Sequence, residues 1–170
     1  MTERKTAEQL YTGTHALSDA QVGDKLGSLD FVITAEQVER NAWANDDYNP
    51  WYMDDSPFGG RIISPVYLAS FDARLFYGYY SYPPGGSLFA KQEFDYLVPL
   101  RIGVPYTMTG TLIDIYRRRG RAFFVAGMSV TDPDGTEVMR MSKTVATPVR
   151  PVAEPSGTPN AAPTPVQEQR

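Results

Sequence analysis

The sequence predicts an α+β domain in which an antiparallel sheet wraps a long buried helix. Three observations carry this. After Pro65, the apolar residues Val66, Leu68, Ala69, Phe71, Ala73, Leu75 and Phe76 fall nearly all round a helical turn, the pattern of a helix covered on every side. Four strand-like runs follow it, over 88–97, 106–116, 121–131 and 137–147. The last two are joined by Asp132-Pro133-Asp134-Gly135, a strong hairpin turn. Runs of strands after a buried helix fit a sheet closed round that helix.

The elements follow in order. Residues 1–21 are polar and weakly patterned and read as an N-terminal arm or short helix. Leu29, Phe31 and Ile33 alternate as a strand does. Thr34, with Gln37 three residues on, forms a capping box that opens a helix over 35–44, with Val38 and Ala42 on its inner face. Residues 45–64 hold Asn-Pro, Ser-Pro and Gly-Gly pairs and read as a long loop; loops of that length in a compact domain are commonly functional. Pro65 suits the first turn of the next helix, where a missing N–H costs nothing. The single domain spans 22–149. Residues 150–170 are rich in proline, alanine and small polar residues, a composition expected to remain disordered.

Composition narrows the function classes. The 170 residues carry a net charge of −4, which argues against nucleic acid as a general partner. No apolar run approaches the roughly 18–20 residues of a membrane span, and the polar start shows no secretory signal, so a cytoplasmic location is expected. With no cysteine, thiolate catalysis, disulfides and Cys-based zinc sites are excluded. Neither a metal nor a redox cofactor is expected.

The candidate chemistry lies in the long loop. Asp47-Tyr48-Asn49-Pro50-Trp51-Tyr52 puts a carboxylate, an amide and a rigid proline in one turn. Ser56-Pro57-Phe58-Gly59-Gly60-Arg61-Ile62-Ile63-Ser64-Pro65-Val66 is a glycine-rich approach to a helix start. A carboxylate beside a helix N-terminus can move a proton while backbone N–H groups hold an oxyanion. Each residue also has a plainer reading. Asp47 and Asn49 are common turn residues, Ser64 a common N-cap, and Gly59-Gly60 a tight turn. The Arg117-Arg118-Arg119-Gly120-Arg121 run reads first as a solvated hairpin tip and second as a phosphate clamp; Arg61 and Lys91 are further clamp candidates. The tyrosines clustered between Trp43 and Tyr82 serve core and interface, or line a wide aromatic pocket.

Asp47-Tyr48-Asn49-Pro50 resembles the Asp-x-Asn-Pro core of the MaoC-like (R)-specific enoyl-CoA hydratases and dehydratases, which have the hotdog fold. The downstream Gly-Gly-x-Ile-x-x-Pro and the strand order match too, so the resemblance runs over about 22–148. In that family the motif continues to a histidine, where this chain has Tyr52; its one histidine, His15, lies outside the motif. The resemblance implies a hotdog dimer, homomeric or with a second hotdog subunit, that takes an acyl-CoA or carrier-linked thioester, with coenzyme A as part of the substrate. It implies Asp47 as acid/base, Asn49 as positioning residue and Tyr52 as a donor in place of histidine. Ser64 or the Val66 N–H would serve as the oxyanion contact, since Pro65 has no N–H. Gly59, Gly60, Trp51, Phe58 and Arg61 would contact a bulky enoyl group or its carrier. A non-catalytic subunit of a heteromer and an acyl-CoA thioesterase are the alternatives on the same fold.

Overall fold

The central helix opens at Pro65, where the sequence places it, but in two geometries. The computed structural model describes residues 13–81, 83 and 86–148. Pro65–Ser70 form a 3₁₀ segment that runs into an α-helix, Phe71–Tyr79. Before them come β1 (Lys25–Val32), α1 (Ala35–Asn45) and α2 (Pro50–Met53), so the α-helix is α3. After it come β2 (Leu88–Tyr96), β3 (Pro105–Arg118), β4 (Arg121–Thr131) and β5 (Glu137–Pro148). The expectation for the tail after 150 lies outside the described residues.

All five strands form one antiparallel sheet in the order β1-β3-β4-β5-β2. Its inner face supplies Met108, Leu112, Ala126, Met128, Val130, Met139, Met141 and Val145, all buried against Leu68, Phe71, Leu75 and Phe76 of the helix. The helix lies close on the sheet at Gly110, where an added Cβ would come within 2.8 Å of Leu75 Cδ2. This is the helix-in-sheet architecture that the sequence predicts, a hotdog.

Local chemistry explains the boundaries. Thr34 and Gln37 make the reciprocal capping box: the Thr34 hydroxyl accepts from the Gln37 N–H, and the Gln37 side chain accepts from the Thr34 N–H. At the β4–β5 turn one Asp132 carboxylate oxygen accepts from both the Asp134 and Thr136 N–H groups, and Gly135 takes φ +80°.

Two features depart from the sequence reading. The all-round apolar pattern predicts burial from Val66 onward, yet Val66 is 60% exposed, and within α3 Arg74 and Gly78 are exposed while Phe71, Asp72, Leu75, Phe76 and Tyr77 are buried. The helix also carries a fully buried carboxylate. Asp72 Oδ1 accepts from Lys143 Nζ on β5 at 2.8 Å, and its other oxygen accepts from Gln92 on β2. Burial pushes the Asp72 carboxyl above its ordinary range, and the Lys143 ammonium opposes that shift.

A second acid ties the N-terminal end of β1 to the far end of α3. Asp24 Oδ2 accepts from the Gln21 N–H at 3.0 Å and from the Tyr80 hydroxyl at 2.7 Å. The Gln21 contact first, then Tyr80, holds the Asp24 carboxyl below the usual carboxylate range. A depressed folded-state pKa contributes stability that is present above the ordinary range and is lost as pH falls through the depressed value. Denaturation midpoints followed from neutral to acid pH should therefore fall less steeply for Asp24→Asn than for the parent. Identical acid profiles would remove Asp24 from the account.

Candidate active site

The long loop is ordered by backbone hydrogen bonds. Asp46 ends α1 in the left-handed conformation (φ 53°), and the Asp47 N–H donates to the Ala42 carbonyl at 2.9 Å. Asn49 then caps α2: its Oδ1 accepts from the Trp51 N–H at 3.0 Å. The plain turn role of Asn49 is thus filled, and its amide nitrogen is left for other work.

The second half of the loop is sewn to the first. The Ile62 N–H donates to the Trp51 carbonyl at 3.0 Å, and Arg61 Nε donates to the Tyr52 carbonyl at 2.7 Å while Nη1 reaches Glu39 on α1 at 3.0 Å. The Ile63 N–H continues to the Leu100 carbonyl at 2.8 Å. The Asp47–Tyr52 turn is therefore fixed, through residues 61–63, to the start of the central helix. Arg61 is engaged by this clamp, which leaves only Nη2, a buried atom with no hydrogen-bond partner among the described residues. Gly59 and Gly60 take φ +80° and +86° in a turn closed by Asp55 and Ser56, whose oxygens accept from the Gly60 and Phe58 N–H groups. These glycines do what a tight turn requires.

A cavity of about 320 Å³ opens beside the helix start. Ser64, Pro65 and Phe58 line it, together with Ile62, Ile63, Leu68, Leu97, Pro99, Leu100 and Tyr96. Ser64 is buried, and its hydroxyl caps nothing in the 3₁₀ segment. The hydroxyl has no protein partner among the described residues and faces the cavity lining. Trp51 packs edge-on to Phe58 at 5.7 Å between ring centres. The walls are mainly aliphatic, because the tyrosines and phenylalanines near 71–80 are spent in the core and at the end of α3.

Tyr96, which the sequence reading did not single out, lines the cavity at the helix start. Its hydroxyl donates to the Pro65 carbonyl. Burial, and then the neighbouring Tyr52, push its phenol above the ordinary value. The available signal was the inward alternation of Phe94 and Tyr96 opposite Met141 and Met139. Asp47 is half-buried, and its carboxylate has no hydrogen-bond or ion-pair partner among the described residues. It lies outside the cavity lining, as do Asn49 and Tyr52.

The arginine run lies elsewhere. It occupies the β3–β4 hairpin, near the C-terminal end of α3, at the other end of the sheet from the Pro105 start of β3. Within one chain it cannot clamp a ligand at Ser64. Lys91 is paired with Glu93 at 2.8 Å. Among the described residues no three His, Asp or Glu side chains converge as a cation site, and no helix is long and apolar enough to cross a membrane.

A buried helix wrapped by this sheet, with a carboxylate on the loop that leads to its N-terminus, is the arrangement of a hotdog of the MaoC-like hydratase and dehydratase type. Residues 20–141 match the family model described as the FAS1-like dehydratase domain region, and the chain belongs to that family. Among solved structures, it is similar to the MaoC-like dehydratase from Rhodospirillum rubrum, with a TM-score of 0.66 and 24% identity over 82% of this chain and 100% of that one. It is similar to the (R)-hydratase from A. caviae involved in PHA biosynthesis, with a TM-score of 0.63 and 20% identity over 75% and 96%. It is also similar to the truncated HadBC (3R-hydroxyacyl-ACP dehydratase) complex from Mycobacterium tuberculosis, with a TM-score of 0.69 and 17% identity over 77% and 100%. No protein of curated function matches the chain.

Proposed function

We propose that this chain binds an acyl thioester and adds water reversibly across its 2-enoyl double bond. The observation that carries the reading is the unpartnered, half-buried Asp47 carboxylate on a turn fixed to the start of the central helix, in a chain of the dehydratase family. A general base must be free to take a proton, and a carboxylate tied into an internal salt bridge is not. Asp47 removes a proton from water as the water oxygen bonds to C3. The negative charge that develops on the thioester oxygen is held by the Val66 N–H. The Asp47 carboxylic acid then returns the proton to C2, which restores the carboxylate and balances the addition. Tyr52 donates a hydrogen bond to the water, and the Asn49 amide nitrogen orients it. The aliphatic walls of the Ser64 cavity favour an alkyl or branched acyl group over a stacked ring.

A second reading is a non-catalytic subunit paired with an intact hotdog chain. Two observations favour it. By the sequence resemblance Tyr52 stands where the family motif carries histidine, and the outer strand β2 exposes Leu88 and Phe89, with Leu97 and Val98 following. Exposed apolar groups on an edge strand suit a partner chain. The protein expressed alone and with a candidate partner is assayed on 2-enoyl-CoA esters of graded chain length. The catalytic reading expects 3-hydroxyacyl-CoA from the chain alone. Release of free coenzyme A instead would identify a thioesterase, and activity only with the partner would establish the subunit reading.

A further inference from the structure

A second cavity, of about 500 Å³, lies at the opposite end of the central helix. The 3₁₀ segment 65–70 and the α-helix 71–79 separate the two; together they make between four and five turns and span roughly 25 Å. The second cavity is walled by Leu17, Ala20, Ile115, Ala122 and Phe124, with Arg117 and Thr147 in its lining. Its residues have no part in the chemistry described above.

Three features give it a ligand class. The first is charge. Ile115 and Arg117 sit two apart on β3, so they share the inner face, and Arg117 stands directly opposite Ala122 over the cavity. Among the described residues no ion pair or side-chain hydrogen bond engages Arg117, Arg118, Arg119 or Arg121. Arg118 even faces Arg121 across the hairpin, a like-charge placement that costs stability and that no acid in the described residues offsets.

The second feature is an unspent hydroxyl. Thr147 lies opposite Ala122 on the same inner face and is 7% exposed, yet its hydroxyl has no protein partner among the described residues. The third is the treatment of the helix end. The C-terminal carbonyls of a helix repel anions, but here the N-terminal arm covers them. The Gly13 N–H donates to the Tyr77 carbonyl at 2.9 Å, and the His15 N–H and its ring nitrogen both reach the Tyr79 carbonyl at 3.2 Å. The arm fits tightly enough that a Cβ on Gly13 would fall 2.3 Å from the Tyr80 backbone.

We propose that this second cavity binds an aliphatic carboxylate, with its chain among Leu17, Ile115, Ala122 and Phe124 and its head on Arg117 and Thr147. One guanidinium and one hydroxyl on the inner face match a single planar carboxylate. A phosphate head, with up to two charges, calls for more cations on that face than Arg117 alone.

The test is calorimetric titration of the full chain with decanoate below its micelle concentration, beside decanol and decyl phosphate. One decanoate per chain should bind, more tightly than either comparison ligand. Arg117→Gln should weaken decanoate about tenfold and leave decanol unchanged. Ala122→Phe should fill the cavity and abolish binding; Ala122→Leu, a smaller change, should weaken it in a chain whose circular dichroism is unaltered. Leu97→Trp, at the Ser64 cavity, should leave decanoate binding intact. The proposal is overturned if decanol binds as well as decanoate, if decyl phosphate binds more tightly, if the Arg117 and Ala122 variants bind like the parent, or if Leu97→Trp alone abolishes binding. None of these outcomes depends on hydratase activity, so this assignment and the catalytic one stand or fall separately.

Discussion

Asp47→Asn should lower turnover on 2-enoyl thioesters by about a hundredfold or more, the usual cost of losing a general acid/base, with the thermal midpoint unchanged. The expected separation of activity from stability follows from the geometry. The backbone of residue 47, not its side chain, makes the structural contact with Ala42, and the carboxylate has no internal partner to lose. Tyr52→Phe should cost less, because it removes a hydrogen-bond donor and leaves the proton carrier in place. Tyr52→His is the sharper variant. An imidazole titrates near neutrality and a phenol does not, so activity should be kept or raised if the turn presents residue 52 to the substrate. Steady-state rates on 2-enoyl-CoA esters of graded chain length, with unfolding monitored in parallel, decide the matter. A parent and three variants that are equally inert on every enoyl thioester would reject catalysis by this chain and favour the paired-subunit reading.

The largest expected stability effect lies at Asp72 and Lys143. Asp72→Ala should destabilise the fold by about 3–5 kcal/mol, the range for removing one partner of a buried ion pair, because it leaves Lys143 charged in the core. The double variant Asp72→Leu/Lys143→Met should be near neutral or more stable, since two apolar groups of similar size carry no desolvation cost. Lys143→Met alone should depend on pH. Burial raises the folded-state pKa of Asp72 above its unfolded value, and removing the ammonium raises it further. The variant is therefore least impaired at acid pH, where Asp72 is protonated in both states, and loses stability as pH rises through the carboxylate range. Denaturant titrations at two pH values measure all three. A single Asp72→Ala cost within the error of the method would mean that the pair contributes nothing to the folded state.

Much of the fold was legible because each signal was local. The capping box at Thr34, the turn at Asp132–Gly135 and the alternation along β3 and β4 rest on contacts between residues close in sequence or on a fixed side-chain period. The observed boundaries fall within a few residues of those expected. Asp72 was illegible for the opposite reason. An acid in an apolar helix reads as a solvent-facing position unless its partner is known, and Lys143 lies 71 residues away. Tyr96 was hidden in the same way: only the closing of β2 against β5 carries its hydroxyl to Pro65.

The candidate site divides along the same line. Residue identity and spacing set the chemistry at hand: a carboxylate, a capping amide and a phenol within one turn, and a proline that opens the central helix. They also determined that Asn49 and Gly59-Gly60 could serve as turn residues. The tertiary structure alone decided that Arg61 clamps the loop through the Tyr52 carbonyl and Glu39, that the Ser64 hydroxyl is unspent beside an aliphatic cavity, and that the arginine hairpin stands at the opposite end of the helix. Residue type fixes what a side chain can do. Its neighbours, its burial and the groups its polar atoms have already engaged are set by long-range pairing, and those decide which of its capacities remain available.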